Sequence, residues 1–99
     1  MKIEKKIQDE TVTLAIQGRL DTTTAPELED EINGLGDSFQ ELVLDCGELS
    51  YISSAGLRVL LSAQKAANAS GSRMTLTHVN EEIMEVFDMT GFSNFLTIA

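Results

Sequence analysis

Apolar and polar residues alternate along this chain with two periods, one typical of strands and the other of helices. Val12, Leu14 and Ile16 recur at every second position and predict one face of a half-buried strand. A run over residues 2–8 alternates less regularly and predicts a strand before it. Residues 8–10 would then form the turn of a hairpin that joins the two strands.

Three segments follow the helical period instead. The first begins at Thr24, where a threonine N-cap, a proline in the first turn and Glu27 form a capping-box pattern, and Gly34 and Gly36 end it. The second covers about residues 54–70, with apolar residues at helical spacing, and Gly71 ends it. The third follows Asn80, a favourable N-cap residue, and closes at Gly91.

Three further strands complete the predicted order. Residues 41–45 form a continuous apolar run, which predicts a central strand buried on both faces. Residues 74–79 alternate, and residues 95–98 predict a short final strand. The order β-β-α-β-α-β-α-β indicates a single α/β domain over residues 1–99, with a mixed sheet and helices packed mainly on one face.

Charge and cysteine content narrow the class of protein. The net charge of −9 on 99 residues argues against binding to nucleic acid or to an anionic membrane surface, since both need clustered Lys and Arg. The single cysteine, Cys46, excludes an internal disulfide and fits a reducing compartment. No apolar run approaches the ~18 residues that span a bilayer, so we expect a cytoplasmic protein.

Two adjacent serines, Ser53 and Ser54, lie where the second helix should begin. A helix N-terminus presents unpaired N–H groups and the positive end of the helix dipole, which suits an anion. A serine in this place can be a plain N-cap, a nucleophile, or a hydroxyl that carries a phosphate or a phosphopantetheine arm.

The enzyme and carrier interpretations fit the remaining residues poorly. Acyl carriers are helical bundles, whereas at least three segments here have strand patterns. A serine hydrolase lacks its Gly-x-Ser-x-Gly motif, and His78, the single histidine, falls in an alternating strand as a core or sheet-face residue. One Cys and one His cannot supply the spaced set of ligands that a metal site needs. We therefore expect that the protein is not an enzyme and that it binds no metal or cofactor.

Two motifs give the chain a resemblance to a known family. Residues 18–24, Gly-Arg-Leu-Asp-Thr-Thr-Thr, look like a Gly-x-Leu-Asp-x-x-Thr motif, and residues 49–57 look like a loop that ends in Asp-Ser-Ser/Thr/Ala-Gly-Leu. Residues 86–92 are similar to a third segment. On these motifs the chain resembles the STAS-domain family, and within it the bacterial anti-sigma factor antagonists.

The resemblance implies a phosphorylation-controlled switch in protein interactions. In such antagonists the unphosphorylated form binds an anti-sigma factor that is itself an ATP-dependent serine kinase, and this frees the sigma factor. A serine phosphatase resets the antagonist. Carried over by position, the phosphorylated serine is Ser54, and Asp21 is the acidic residue of the neighbouring loop.

The chain departs from the family pattern at Ser53, which stands where the aspartate before the acceptor serine is usual. Ser53 is therefore an N-cap, a hydrogen-bond partner of the acceptor, or an alternative acceptor. Arg58, four residues after Ser54, is either a partner for a phosphate or a solvated surface arginine. The alternative function is a phosphorylation-independent STAS adaptor, a subunit of a transport or signalling complex.

The predicted docking surface combines the loop after the second strand, the loop before the second helix and the start of that helix. Its residues are Asp21, Thr22, Thr23, Thr24, Tyr51, Ile52, Ser53, Ser54, Ala55, Gly56 and Arg58.

Overall fold

The computed structural model describes residues 1–36 and 39–99. It contains five strands, three helices and one 3-10 helix among these residues. The elements are β1 (Lys2–Gln8), β2 (Thr11–Leu20), α1 (Ala25–Asn33), β3 (Glu41–Asp45), β4 (Leu49–Ile52), α2 (Ser54–Ser70), β5 (Arg73–Thr77), α3 (Glu81–Thr90) and the 3-10 helix Phe92–Asn94.

The sheet is mixed, as predicted, and β2 is its organising strand. β1 and β2 form an antiparallel hairpin through a two-residue turn at Asp9-Glu10, where Asp9 has a φ of 55°. Beyond β2 the strands run parallel, in the order β1-β2-β3-β5. β2 is ten residues long, and its two ends have different partners: Thr11–Ala15 pairs with β3, and Gly18–Leu20 pairs with β4.

The three helices cover one face of this sheet. Alternate residues of β2, β3 and β5 are buried against them, and the residues between are only half-buried or exposed. The expectation that β3 is buried on both faces is therefore wrong, because Val43 and its two neighbours of the same face remain half-buried. The buried core comprises, among others, Leu14, Ile16, Leu28, Leu42, Leu44, Leu60, Met74, Leu76, Ile83 and Phe87.

The element order differs from the predicted one in two places. β4 lies in what the sequence presents as a loop, because only Leu49 and Ile52 of its four residues are buried and no alternation is visible. The predicted final strand at residues 95–98 is reduced to a single parallel bridge between Ile98 and Leu76. Here the buried side chain of Gln64 accepts a hydrogen bond from the Thr97 N–H at 3.1 Å and takes the place of a strand partner.

The helix ends match their sequence signals, with one exception. Asn80 caps α3 by accepting a hydrogen bond from the Ile83 N–H at 2.9 Å, and Gly71 and Gly91 end α2 and α3 in the left-handed conformation. The capping box at Thr24 does not form, because its hydroxyl accepts from the Asp21 N–H and donates to the Arg19 carbonyl.

Gly56 lies at a close approach of α2 to the sheet and gives a test of the packing. A Cβ at this position would lie 2.7 Å from Leu20 Cγ and 2.9 Å from Ile52 Cγ1. We expect Gly56→Ala to lower the free energy of unfolding by about 1–3 kcal/mol, the cost of overpacking a core. Gly34→Ala is the control. Gly34 has a φ of −66°, and a Cβ added there would lie 3.2 Å from its nearest neighbour, the Asp30 carbonyl oxygen. Urea unfolding followed by circular dichroism measures both; an equal effect of the two variants would contradict the packing argument.

Candidate functional site

The candidate site is built where β4 runs into α2. The Ser53 N–H donates to the Leu20 carbonyl at 2.9 Å, which extends the pairing of β2 with β4 to the helix boundary. Ser53 then takes an extended conformation as the N-cap, and its carbonyl accepts from the Leu57 N–H at 2.9 Å to close the first turn. The first turn of α2 contains no acidic residue and receives no side-chain cap, so its N–H groups are left to attract an anion.

The two predicted acceptor serines occupy different environments. The Ser53 Oγ atom is buried and has no hydrogen-bond partner among the described residues. Ser54 is the first residue of α2 and is exposed. Of the two serines, Ser54 is therefore the one that is accessible from solvent.

Asp21 organises the loop between β2 and α1. Its Oδ1 atom accepts hydrogen bonds from the Thr23 hydroxyl at 2.8 Å, the Thr23 N–H at 3.0 Å and the Thr24 N–H at 3.2 Å. The Thr23 hydroxyl bond is the largest cause that lowers the pKa of Asp21 below its usual value, followed by the backbone bonds, with partial desolvation opposing them. Asp21 therefore forms an Asx turn that fixes the loop.

Arg19 is a site residue that the sequence reasoning did not single out. Its guanidinium carbon lies 4.1 Å from the centroid of the Tyr51 ring, and its Nε atom lies 3.6 Å from Asp21 Oδ2. The contact exists because Arg19 and Tyr51 are register partners in β2 and β4. In the sequence, Arg19 stands only at the variable position of the Gly-x-Leu-Asp motif, so no local signal reveals its stacking partner.

Arg58 projects beside a groove between the starts of α1 and α2. The groove has a volume of about 200 Å³, and Thr22, Ala55, Arg58 and Glu29 are among its lining residues. No carboxylate of residues 1–36 or 39–99 lies within ion-pair distance of the Arg58 guanidinium. The structure thus leaves an exposed cation four residues after Ser54 on the same helix.

The predicted docking residues divide into a surface and its support. Thr22 and the start of α2 line the groove, whereas Tyr51, which is 41 % exposed, contacts Arg19 of the neighbouring strand β2. Ile52 is only 5 % exposed and Gly56 is buried, so neither presents a side chain to a partner. Ile52 and Gly56 pack against each other in the interior, where a Cβ on Gly56 would lie 2.9 Å from Ile52 Cγ1.

Cys46 and His78 lie outside this site. Burial, together with the charge of Asp45, raises the pKa of the Cys46 thiol to about 12, which keeps the sulfur protonated and unreactive. The prediction that His78 is a core or sheet-face residue is wrong. His78 follows β5, has a φ of 56°, and places its Nδ1 atom 3.1 Å from Asp45 Oδ1 at the surface. No group of three His, Cys, Asp or Glu residues in the described part of the chain could hold a metal ion.

No helix formed by the described residues is long and apolar enough to cross a membrane.

Comparison with known proteins places this geometry in a family. The model of the STAS domain matches residues 2–99. BtrV of Bordetella bronchiseptica, named as an anti-sigma factor antagonist, is 33% identical over 100 residues, an alignment that spans 100% of this chain and 86% of that protein.

Two solved structures share the fold. A Thermotoga maritima protein described as an anti-sigma factor antagonist has a TM-score of 0.89 at 22% identity, over 97% of this chain and 84% of that one. The Bacillus cell fate determinant SpoIIAA, in its phosphorylated form, has a TM-score of 0.78 at 19% identity, over 99% of this chain and 91% of that one. With its mixed sheet, its three helices and a family match over nearly its whole length, the chain belongs to the STAS domain family.

Proposed function

We propose that this protein is an anti-sigma factor antagonist whose unphosphorylated form binds an anti-sigma factor serine kinase and so releases the sigma factor. Phosphorylation of Ser54 ends the binding, and a serine phosphatase restores it. The observation that carries the proposal is the exposure of Ser54 as the first residue of α2, beside a neighbour whose hydroxyl oxygen is buried. The names of the relatives support the regulatory role.

The fold can accept a phosphate on Ser54 without unfolding. A phosphate adds about −1.5 to −2 charges at pH 7, and an anion at an exposed helix N-terminus gains roughly 0.3–1 kcal/mol from the helix dipole. Arg58 lies one turn further along the helix and has no other ion-pair partner among the described carboxylates. SpoIIAA, which shares this fold, has itself been solved in a phosphorylated form.

The same phosphate would oppose docking. In an interface that covers the start of α2, the added charge would lose its water, and an uncompensated buried charge costs about 2–5 kcal/mol. That loss corresponds to a thirtyfold or greater reduction in affinity. A modification that leaves the domain folded and abolishes its binding is what a reversible switch requires.

The chemistry of the switch resides in its partners. The kinase would hold ATP and transfer the γ-phosphoryl group to the Ser54 Oγ atom, with ADP as the leaving group and the hydroxyl proton passing to a base of the kinase. The phosphatase would hydrolyse the phosphoserine. On this proposal the antagonist contributes a hydroxyl, a docking surface and no cofactor or metal, and it acts on neither nucleic acid nor membranes.

Mass spectrometry after incubation with ATP and the anti-sigma factor kinase encoded nearest to this gene tests the site. We expect one added phosphate, and peptide fragmentation should place it on Ser54, because the Ser53 Oγ atom is buried. Ser54→Ala is the control and should remain unmodified. Phosphate on Ser53 would contradict the assigned site. A fully unmodified protein, with a kinase active on another antagonist, would favour the phosphorylation-independent adaptor.

Binding of Ser54 variants to the same kinase tests the switch. We expect Ser54→Asp to remain folded and to bind at least tenfold more weakly than the wild type, because it brings a negative charge to the docking surface. Ser54→Ala should bind like the unphosphorylated protein. Asn68→Asp is a matched control, since it adds a charge to an exposed position of the same helix far from its start. Equal affinity of Ser54→Asp and Asn68→Asp, measured by titration calorimetry, would contradict the switch.

The loop that Asp21 organises gives a prediction for pH. Because its folded pKa is lowered, ionised Asp21 contributes stability that is present above its unfolded pKa and lost as the pH falls through the folded value. Thr23→Val removes the hydroxyl donor and should raise the pKa of Asp21 towards its usual value, measured by NMR titration of the carboxyl carbon. Thr22→Val changes the adjacent exposed residue and should leave the titration in place. The same shift in both variants would contradict the assignment to Thr23.

A further inference from the structure

An exposed arginine lies beside the start of α2, on the face of the helix that carries Ser54. Arg58 follows Ser54 by four residues, and side chains at this spacing are neighbours on a helix, with Cβ atoms about 5–6 Å apart. The Arg58 guanidinium forms no ion pair within residues 1–36 and 39–99, although Glu29 lines the same groove. Its donors are therefore available to an anion carried by Ser54.

The loop between β2 and α1 brings a second donor to this groove. The hydroxyls of Thr23 and Thr24 are both engaged, as donors to the Asp21 carboxylate and to a backbone carbonyl of β2, each at 2.8 Å. The Thr22 hydroxyl has no hydrogen-bond partner in the part of the chain that the structure describes, and Thr22 is exposed. Thr22 and Arg58 line the same groove, so they reach it from its two sides.

We propose, on the basis of the function proposed above, that Arg58 and Thr22 together hold the phosphate of phosphorylated Ser54 at the mouth of the groove between α1 and α2. We call these two residues the phosphate clamp. A guanidinium forms charge-assisted hydrogen bonds to phosphate oxygens, which are among the strong ones in proteins, and a hydroxyl adds a further donor. Because Thr22 precedes α1 and Arg58 belongs to α2, the held phosphate joins the two elements that the groove separates.

The other charged groups near the groove keep the phosphate at its mouth. Glu29 lines the groove and also the adjoining hollow between α1 and α2, so its carboxylate lies further from the start of α2 and repels an anion from the interior. The Asp21 carboxylate is turned to other partners, with Oδ2 3.6 Å from Arg19 Nε and Oδ1 accepting from Thr23. The position of lowest energy for the phosphate is therefore beside Arg58.

The clamp changes what phosphorylation does to the docking surface. A phosphate that pointed freely into water would add only its charge, about −1.5 to −2 at pH 7. A phosphate held from both sides also covers the mouth of a groove of about 200 Å³. Phosphorylation thus removes a concave part of the docking surface in addition to bringing repulsion to it.

The second ionisation of the phosphate tests the clamp. Phosphoserine is placed at position 54 during synthesis by amber suppression, so that no kinase is needed, and phosphorus-31 NMR titration measures its pKa. We expect this pKa to lie below the usual value of about 6, because a neighbouring cation favours the dianion. Arg58→Gln should raise it by about 0.3 pH units or more, and Glu29→Gln should lower it.

Lys65→Gln is the matched control for the loss of charge. It removes one positive charge from an exposed position about three turns after Ser54 on the same helix. At 150 mM NaCl, where charges beyond roughly 8 Å are screened, it should leave the phosphate pKa within about 0.1 pH units of the wild-type value. Circular dichroism checks that each variant is folded.

Variants of Thr22 separate a clamp from a simple pair of neighbours on α2. Thr22→Val removes the hydroxyl donor and should raise the phosphate pKa, whereas Thr22→Ser keeps the donor and should not. The amide resonance of Thr22 should also move when Ser54 is phosphorylated, and this movement should be smaller in Arg58→Gln. A phosphate pKa that Thr22→Val leaves unchanged would contradict the contact across the groove.

The outcomes distinguish this inference from the function on which it rests. Equal phosphate pKa values in the otherwise wild-type protein, in Arg58→Gln and in Lys65→Gln would overturn the clamp. The antagonist function would stand, because the unphosphorylated form that binds the kinase carries no phosphate. A Ser54 that an active anti-sigma factor kinase leaves unmodified would overturn the function, and with it the role of the clamp in control, whatever the titration shows.

Discussion

The site depends on the pairing of one long strand with two others. β2 pairs with β3 through its first half and with β4 through its last residues, and its register shifts between Gly18 and Arg19, where Gly18 has a φ of 99°. The extra residue is Ser50 of β4, which has no partner between the pairs Gly18–Leu49 and Arg19–Tyr51, so the bulge lies in β4. Without this change of partner, Arg19 would not meet Tyr51 and the Leu20 carbonyl would not receive the Ser53 N–H. The two loops of the candidate docking surface are adjacent because a single strand holds both.

Local signals in the sequence predict most of the fold. The hairpin turn predicted at residues 8–10, the cap at Asn80 and the helix ends at Gly71 and Gly91 each depend on nearby residues, and the structure confirms them. β4 was missed because Ser50 and Tyr51 both face solvent, which breaks the alternation that identifies a strand. The final strand was overpredicted because a buried glutamine, 33 residues away in the chain, supplies the partner for the Thr97 N–H.

The site shows the same division between local and distant information. The position of Ser54 at a helix start follows from neighbouring residues, and so does the turn at Asp21. Arg19 could not be assigned a role, because its contact with Tyr51 is set by strand register across the fold. The burial of the Ser53 Oγ atom likewise depends on the folded arrangement around the start of α2, which the periodicity of the sequence does not encode.

The hairpin strand β1 has a further role in how copies of the protein meet one another. Within the described residues it pairs only with β2, so its outer side is a free sheet edge of seven residues. Lys2, Lys5 and Lys6 lie along it. Lysines on an edge strand oppose the addition of another strand, because their charged side chains would lose water when a second strand covers them. An acidic protein with most of its carboxylates elsewhere thus places three of its few lysines where they protect it against edge-to-edge aggregation.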